Sequence, residues 1–241
     1  MLSAQPAAIG RLRGRQVLGV EATGKHLMMR FEGDLSLHSH MRMRGAWHIY
    51  APGERWRRPA HQARAVLTFE DVVAVLFAAP VVELVRDERT RIGHLGPDVL
   101  SDDFDVTAVL RLARRSDRAE IGDLLLDQRV CAGIGNIYKC ETMWIHRVNP
   151  WTPVADIGDR PLAEVYATAR DLMRASALAG RAPARRAVHA RGGRPCPRCS
   201  TPVAVRPQGP MGRLTYYCRR CQGGPAAAHP AIATQPEESN A

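Results

Sequence analysis

The residues best suited to chemistry are four cysteines near the end of the chain, arranged as two CxxC pairs. They are Cys196, Cys199, Cys218 and Cys221. A two-residue spacer directs two sulfurs at one metal ion, and two such pairs complete a tetrahedral shell. The spacing therefore predicts one structural zinc ion, Zn(2+). Disulfides are the alternative, although the two other cysteines, Cys131 and Cys140, fit no such framework.

Arginines surround these pairs and indicate a polyanionic partner. The chain has 34 Lys+Arg against 24 Asp+Glu, a formal net charge of +10. Arginine binds phosphate bidentately. A GC-rich coding sequence also raises the arginine content, so the evidence for a polyanionic partner is the clustering of arginines around the cysteine pairs. No apolar stretch is long enough to span a bilayer. We therefore expect a cytoplasmic, nucleoid-associated monomer that binds nucleic acid and no membrane.

The elements that must position these residues change in character along the chain. Short apolar or alternating runs between 15 and 85 predict strands of a small sandwich or barrel, at 17–20, 26–31, 35–40, 47–50, 65–69 and 72–77. Apolar residues at three-to-four spacing predict helices over 105–115, 120–128, 136–147 and 161–179. Residues 181–194 are predicted to be a linker, and 223–241 a disordered tail.

A glycine-bearing double turn joins the second and third predicted helices. Asn136 is a preferred helix N-cap, and Gly133 and Gly135 permit close backbone approach. The free amide groups at such a helix start form a seat for phosphate. The alternative is an ordinary helical hairpin whose second helix is capped.

The double turn and the cysteine pairs together resemble the helix-two-turn-helix and zinc finger of the formamidopyrimidine-DNA glycosylase and endonuclease VIII family. Segments 24–27, 38–40 and 45–47 are similar to the endonuclease VIII-like branch, and 93–98 resembles the family's hinge. The resemblance implies an α+β multidomain fold. Its parts are a truncated, β-sandwich-like N-terminal domain over 1–100, a helical helix-two-turn-helix domain over 101–190, a four-cysteine zinc finger over 191–222 and the tail over 223–241.

The resemblance also implies roles for individual residues. Asn136 and Gly135 match the turn that binds the phosphates flanking a flipped nucleotide. Lys25 matches a hairpin lysine near the lesion, and Arg213 matches a zinc-finger arginine that binds phosphate and supports δ-elimination, so both are catalytic candidates. The alternatives are a solvated turn lysine and generic surface charge. His61 matches a DNA-contacting histidine loosely, and an exposed loop histidine is the alternative.

Residues 42–44 match the loop from which family members insert side chains into the gap left by an everted base. Base flipping costs a few kcal/mol of stacking and pairing, so a side chain that fills the gap stabilises the extruded state. Met43 is adaptable and apolar, and Arg42 and Arg44 can stack on or hydrogen-bond to the orphaned base. In the alternative, Met41 and Met43 pack together on one strand face.

Family enzymes begin with a catalytic proline and a glutamate, and this sequence begins Met1-Leu2 with Pro6 internal. The expected function is DNA base-excision repair by a bifunctional DNA glycosylase and abasic-site lyase. It would act on oxidised bases and abasic sites in double-stranded damaged DNA by base flipping and β,δ-elimination, with the start site placed too far downstream. The alternative is a catalytically impaired, zinc-dependent damaged-DNA binding protein that lacks the proline nucleophile. A zinc-ribbon module for RNA or protein contact is a third hypothesis.

Overall fold

The computed structural model describes residues 9–180, 183 and 185–223. They form two compact units. The first comprises the described residues up to Phe104 together with Gln128–Gly133, and the second comprises Asp105–Asp127 and the residues from Ile134 onward. The predicted tail over 223–241 lies outside the described residues apart from Gly223, as do residues 181, 182 and 184 of the predicted linker.

The first unit is a sandwich of two antiparallel sheets. Its strands are β1 Val17–Thr23, β2 His26–Phe31, β3 Leu35–His40, β4 Ala46–Tyr50, β5 Ala63–Thr68, β6 Val73–Phe77 and β7 Val81–Val85. The sheet orders are β1-β2-β3-β7 and β4-β6-β5. Side chains such as Phe31 and Leu37 from one sheet meet Leu67 and Leu76 from the other in the core between the sheets. The predicted sandwich is confirmed, with β7 as a strand that was not predicted.

The second unit is helical and ends in a hairpin with the four cysteines. Its elements are α2 Val106–Arg115, α3 Ile121–Leu124, α4 Asn136–Ile145, α5 Asp159–Leu178, β8 Ala204–Gln208, β9 Arg213–Tyr217 and α6 Arg219–Gln222, whereas the short α1 Arg89–Ile92 belongs to the first unit. Helix α5 packs on α2 and α4, and α4 contacts β9. Among the described residues, no helix has the length and apolar character that crossing a membrane requires.

The helix predicted over 120–128 is wrong beyond Leu124. The amide groups of Leu126 and Asp127 donate to carbonyls three residues back, so the chain tightens into turns. The segment that follows then belongs to the first unit, where Gly96 donates to the Gln128 carbonyl at 2.9 Å and Ala132 donates to the Pro97 carbonyl at 2.9 Å.

The described part of the predicted linker is packed. The Glu141 carboxylate on α4 accepts backbone N–H groups from Ala187 at 2.7 Å, Val188 at 3.0 Å and His189 at 2.8 Å. Val188 is fully buried beside the cysteines. One buried acid therefore fixes the chain where it enters the cysteine-bearing module.

Replacing Glu141 with glutamine should lower the free energy of unfolding by about 3 kcal/mol, because an amide NH₂ would then face buried N–H donors. The matched control is Glu164→Gln, which removes only an exposed contact with Arg160 and should change the value by less than about 0.5 kcal/mol. Denaturant unfolding followed by circular dichroism measures both. Equal losses in the two variants would contradict the role of Glu141.

Candidate nucleic-acid interface and metal site

The four predicted cysteine ligands come together in the second unit. Their sulfurs all lie within 4.8 Å of one another, with Cys199 at 3.4 Å from Cys218 and from Cys221, and Cys196 at 3.9 Å from Cys221. A tetrahedron of thiolates at about 2.3 Å from a zinc ion has sulfurs about 3.8 Å apart. All six cysteines are free, so the disulfide alternative is wrong in this structure. The cluster is compatible with one four-coordinate zinc ion.

The last turn of α4 holds the cysteine cluster. The Trp144 indole N–H donates to the Cys196 sulfur at 3.3 Å. The Arg198 guanidinium lies 4.1 Å from the Trp144 ring centroid and donates to the Trp144 carbonyl at 3.0 Å. Cation–π stacking and a charge-assisted hydrogen bond therefore act on the same tryptophan, and they tie the first CxxC pair to the helix.

The first turn of α4 holds the hairpin that carries Arg213. The Asn136 side-chain Nδ2 donates to the Leu214 carbonyl at 2.8 Å, and its Oδ1 is buried with no hydrogen-bond partner among the described residues. Lys139, one turn further along, donates to the Thr215 hydroxyl at 2.6 Å. Arg213 is exposed at the start of β9. The structure thus brings two residues that the sequence identified separately into one region, because Asn136 bonds to the residue that follows Arg213.

Lys25 lies in a tight turn between β1 and β2 in the first unit. Its Nζ donates to the Gln128 side chain at 3.2 Å, which also accepts the Gly133 amide at 3.0 Å. The Gly24 amide donates to the Asp98 carboxylate at 2.7 Å. Gly24 has a φ of +54°, and a Cβ there would meet Leu95 and Ala132 at 2.9 Å, so only glycine fits. This crowding seats the Lys25 turn against residues 128–133, where the double turn begins.

A chain of hydrogen bonds runs from His26, next to Lys25, into the sheet. The sequence did not predict it. His26 Nδ1 lies 2.8 Å from His38 Nε2, and His38 Nδ1 lies 3.0 Å from Glu83 Oε1. Arg91 binds both oxygens of Glu83, at 2.6 and 2.9 Å. These side chains share one face because His38 pairs directly with Glu83 in the β3–β7 register. Alternation could have identified the face, but only the register supplies the partner.

Electrostatics set the protonation of this chain. The bond from Arg91 holds the pKa of Glu83 below its usual value, so the carboxylate accepts the His38 Nδ1–H. In the bond between His26 Nδ1 and His38 Nε2, one ring nitrogen donates and the other accepts, according to the tautomers of the two rings. Burial, with His40, His38, His94 and Lys25 nearby, lowers the pKa of His26 to about 4.

Residues 42–44, which were predicted to insert into DNA and are called the wedge turn below, are exposed and closely follow β3. Met43 is 93% exposed, whereas Met41 packs against the sandwich core, so the alternative that packs the two methionines together is wrong. Alternation fails because the strand ends at His40 and Arg42 has a φ of +48°. Arg58 donates to the Arg44 carbonyl at 3.0 Å and braces the turn.

His61 lies apart from these contacts in the first unit. It belongs to the 3₁₀ turn Ala60–Gln62, where its side chain is exposed. Gly135 is the N-cap of α4, with extended backbone angles. Asn136 therefore begins the helix rather than capping it, and the predicted cap position moves by one residue.

Comparison with known proteins gives consistent matches along the chain. The Formamidopyrimidine-DNA glycosylase N-terminal domain matches residues 2–80, and the Formamidopyrimidine-DNA glycosylase H2TH domain matches residues 95–185. "Probable endonuclease 8 2" of Streptomyces coelicolor is 42% identical, over 89% of this chain and 82% of the relative. "DNA-(apurinic or apyrimidinic site) lyase Nei2" of Mycolicibacterium smegmatis is 35% identical, over 88% and 84%.

Solved structures agree with these matches. The crystal structure of the MutM (Fpg) protein from Thermus thermophilus is similar with a TM-score of 0.72 and 29% identity, over 88% of this chain and 85% of that one. The Lactococcus lactis Fpg complex with abasic-site DNA has a TM-score of 0.74 at 21% identity, over 89% and 85%. At that identity, the second likeness concerns the fold alone.

The lowered pKa of His26 has a measurable consequence. His26 should stay neutral in the folded protein until the pH approaches about 4, whereas an unfolded histidine titrates near 6.5. Its contribution to stability is therefore complete above pH 6.5 and is lost as the pH falls from 6.5 toward 4. NMR titration of the imidazole C–H signals, with His26→Gln to assign the resonance, measures the midpoint. A midpoint near 6.5 would refute the burial argument.

Proposed function

The chain belongs to the formamidopyrimidine-DNA glycosylase and endonuclease VIII family, and from this membership we propose that it is a base-excision repair enzyme. Its activities would be those of a bifunctional DNA glycosylase and abasic-site lyase that acts on oxidised bases. Relatives named endonuclease 8 and DNA-(apurinic or apyrimidinic site) lyase support this proposal. We expect a cytoplasmic, nucleoid-associated monomer that acts on double-stranded DNA.

The observation that carries the proposal is the bond between Asn136 and Leu214. It joins the start of α4 to the arginine-bearing hairpin, although Leu214 lies 78 positions later in the chain. We assign phosphate contacts to the Gly135–Asn136 helix start, where backbone N–H groups and the helix dipole favour anions. Arg213, exposed beside it, adds a bidentate phosphate donor. Its further role is to support the second, δ elimination.

In the first unit, Lys25 and the wedge turn are the candidates for contact near the lesion. Lys25 offers an exposed ammonium for phosphate, and His61 a second, separate contact. Met43 is the apolar side chain proposed to fill the gap left by an everted base, with Arg42 and Arg44 on either side of it. An exposed methionine on a braced turn suits this task, since its insertion offsets part of the unstacking cost.

Zinc is the ion we propose for the four thiolates. The donor set is all sulfur and four-coordinate, so the ion would be structural and would leave no open position for substrate. Cys196, Cys199, Cys218 and Cys221 would hold it, and it would fix both ends of the Arg213 hairpin. Binding energy of a structural zinc ion is folding energy for such a small module.

Purified protein in metal-scrubbed buffer should contain close to one zinc ion per chain. The variant Cys218→Ser should lose the ion and most of its affinity for abasic-site duplex, because the hairpin that presents Arg213 loses its staple. Cys131 lies outside the cluster, so Cys131→Ser is the matched control and should keep both the zinc ion and the affinity for DNA. Metal analysis and fluorescence anisotropy measure them, and full affinity in metal-free protein would contradict the assignment.

Catalysis tests the proposed function directly. The family's nucleophile is an N-terminal proline, and this sequence has Leu2 after Met1. A polypeptide of these 241 residues should bind abasic-site duplex but excise oxidised bases slowly, since an ordinary amine is mostly protonated at neutral pH. A matched polypeptide extended by an upstream Met-Pro-Glu-Gly segment should excise efficiently and be trapped on DNA by borohydride.

The two polypeptides also distinguish the alternative function. Efficient excision and trapping by the shorter polypeptide would show that the upstream Pro-Glu segment is not required. Tight binding without excision by either polypeptide would instead support a damaged-DNA binding protein without glycosylase activity.

A further inference from the structure

Lys139 is a buried cation whose nearest hydrogen-bond partners are neutral, although the charge of Asp123 also acts on it. Its side chain is 1% exposed, and its Nζ contacts two neutral oxygens, the Thr215 hydroxyl at 2.6 Å and the Gln208 Oε1 at 3.5 Å. Among the described residues no carboxylate forms an ion pair with it. Burying an ammonium against neutral acceptors is costly, and burial lowers the pKa of Lys139. A residue of this kind is hard to explain by packing alone.

The two oxygens that Lys139 contacts belong to Gln208 and Thr215, which lie next to Arg213 on the hairpin. Gln208 is directly opposite Arg213 in the β8–β9 register, and Thr215 lies two residues after Arg213 on the same strand. The Thr215 hydroxyl donates in turn to Gln208 Oε1 at 3.0 Å. Lys139 therefore contacts both neighbours of the arginine that the proposed function assigns to phosphate.

The far side of the hairpin is fixed as well. Gln208 Nε2 donates to Glu120 at 2.9 Å and to the Pro150 carbonyl at 2.8 Å. A Cβ on Gly122 would collide with the Gln208 side chain, so the hairpin has no room to move toward α3. Its position is set between α3 on one side and Lys139 on the other.

The polar groups of this network stay paired without the ammonium. If Lys139 became methionine, Thr215 would still donate to Gln208, and Gln208 would still donate to Glu120 and Pro150. Methionine has a similar length and no charge to desolvate. The hydrogen bonds of this network thus do not require the cation, and the contacts of the ammonium with Thr215 and Gln208 direct attention to the hairpin.

We propose that Lys139 is a positioning residue for Arg213, holding strand β9 against α4 so that the guanidinium meets a DNA phosphate in one fixed position. This inference rests on the proposed function, because it takes Arg213 to be a phosphate-binding residue. Lys139 and Arg213 also repel each other, which disfavours folding of the arginine back onto the helix.

A double-mutant cycle on affinity for abasic-site duplex tests the proposal, with Lys139→Met, Arg213→Ala and the double variant. Each single substitution should weaken binding about tenfold, the equivalent of one charge-assisted hydrogen bond. In the Arg213→Ala background, Lys139→Met should add less than about a twofold loss, since residues acting through one contact are not additive. Zinc content and circular dichroism should be unchanged throughout.

The salt dependence separates positioning from a structural role. Each phosphate neutralised by a protein cation contributes about −0.9 to the slope of log affinity against log salt. Lys139 is buried and cannot touch a phosphate, so Lys139→Met should reduce the slope by about 0.9 only when Arg213 is present. Two substitutions of Thr215, the acceptor of the Lys139 contact, provide the control. Thr215→Ser keeps the hydroxyl and should leave affinity and salt slope unchanged, whereas Thr215→Val removes it and should change both as Lys139→Met does.

Equal losses from Lys139→Met with and without Arg213 would overturn the positioning role while leaving the proposed function intact. No effect of Arg213→Ala on affinity or slope would instead overturn the phosphate role of Arg213 in the proposed function, and this inference with it. If Lys139→Met fails to fold, the Thr215→Val cycle with Arg213→Ala decides in the same way.

Discussion

Helix α4 is the support on which the hairpin and the cysteine cluster depend. The module after α5 has a small core of cysteines with Val188 and Val203, and it shares that core with Cys140 and Trp144 of α4. A chain segment of that size cannot hold its shape by apolar burial alone. Asn136 and Lys139 lie one turn apart and bind β9, while Trp144 bonds Cys196 further along the helix. One helix thus fixes the Arg213 hairpin at its start and the cysteine cluster at its end.

The fold was predictable where local pattern and tertiary contact agree. Six strands of the sandwich follow from short apolar or alternating runs. In β3 and β6 both faces are largely buried, and there the signal is a run of residues rather than an alternation. Strand β7 was missed because Glu83 interrupts its apolar run, and its strand character comes from pairing with β3, in which His38 lies 45 positions before Glu83. The prediction of a helix over 120–128 was wrong because the apolar run Leu124–Leu126 suggests that the helix continues. The backbone of Gln128 and Ala132 instead bonds to Gly96 and Pro97.

The same distinction applies to the candidate site. The cysteine cluster was predictable because two-residue spacing is a local property of a metal knuckle. The burial of Lys139 was not, because a lysine on a short helix is ordinarily solvated and its acceptors lie 69 and 76 positions away. His26 and His38 stood in the sequence as motif residues, yet their link to Glu83 exists only once three strands are in register. Chemistry that depends on distant pairing leaves no local signal.

Lys139 and Arg213 are cations of different shape at the same hairpin. The chain has only two lysines, Lys25 and Lys139, and arginine supplies every other permanently charged basic side chain. Both lysines give a compact ammonium to a neutral side-chain oxygen, at 3.2 Å and 2.6 Å. A guanidinium is wider, planar and a fork of donors, so in the buried space beneath Thr215 it would push β9 away from α4. On the exposed side the fork would be the advantage for the proposed phosphate contact, because a guanidinium matches two phosphate oxygens at once. Under the proposed roles, the buried contact with Thr215 suits lysine and the exposed phosphate contact suits arginine, because the two cations differ in shape.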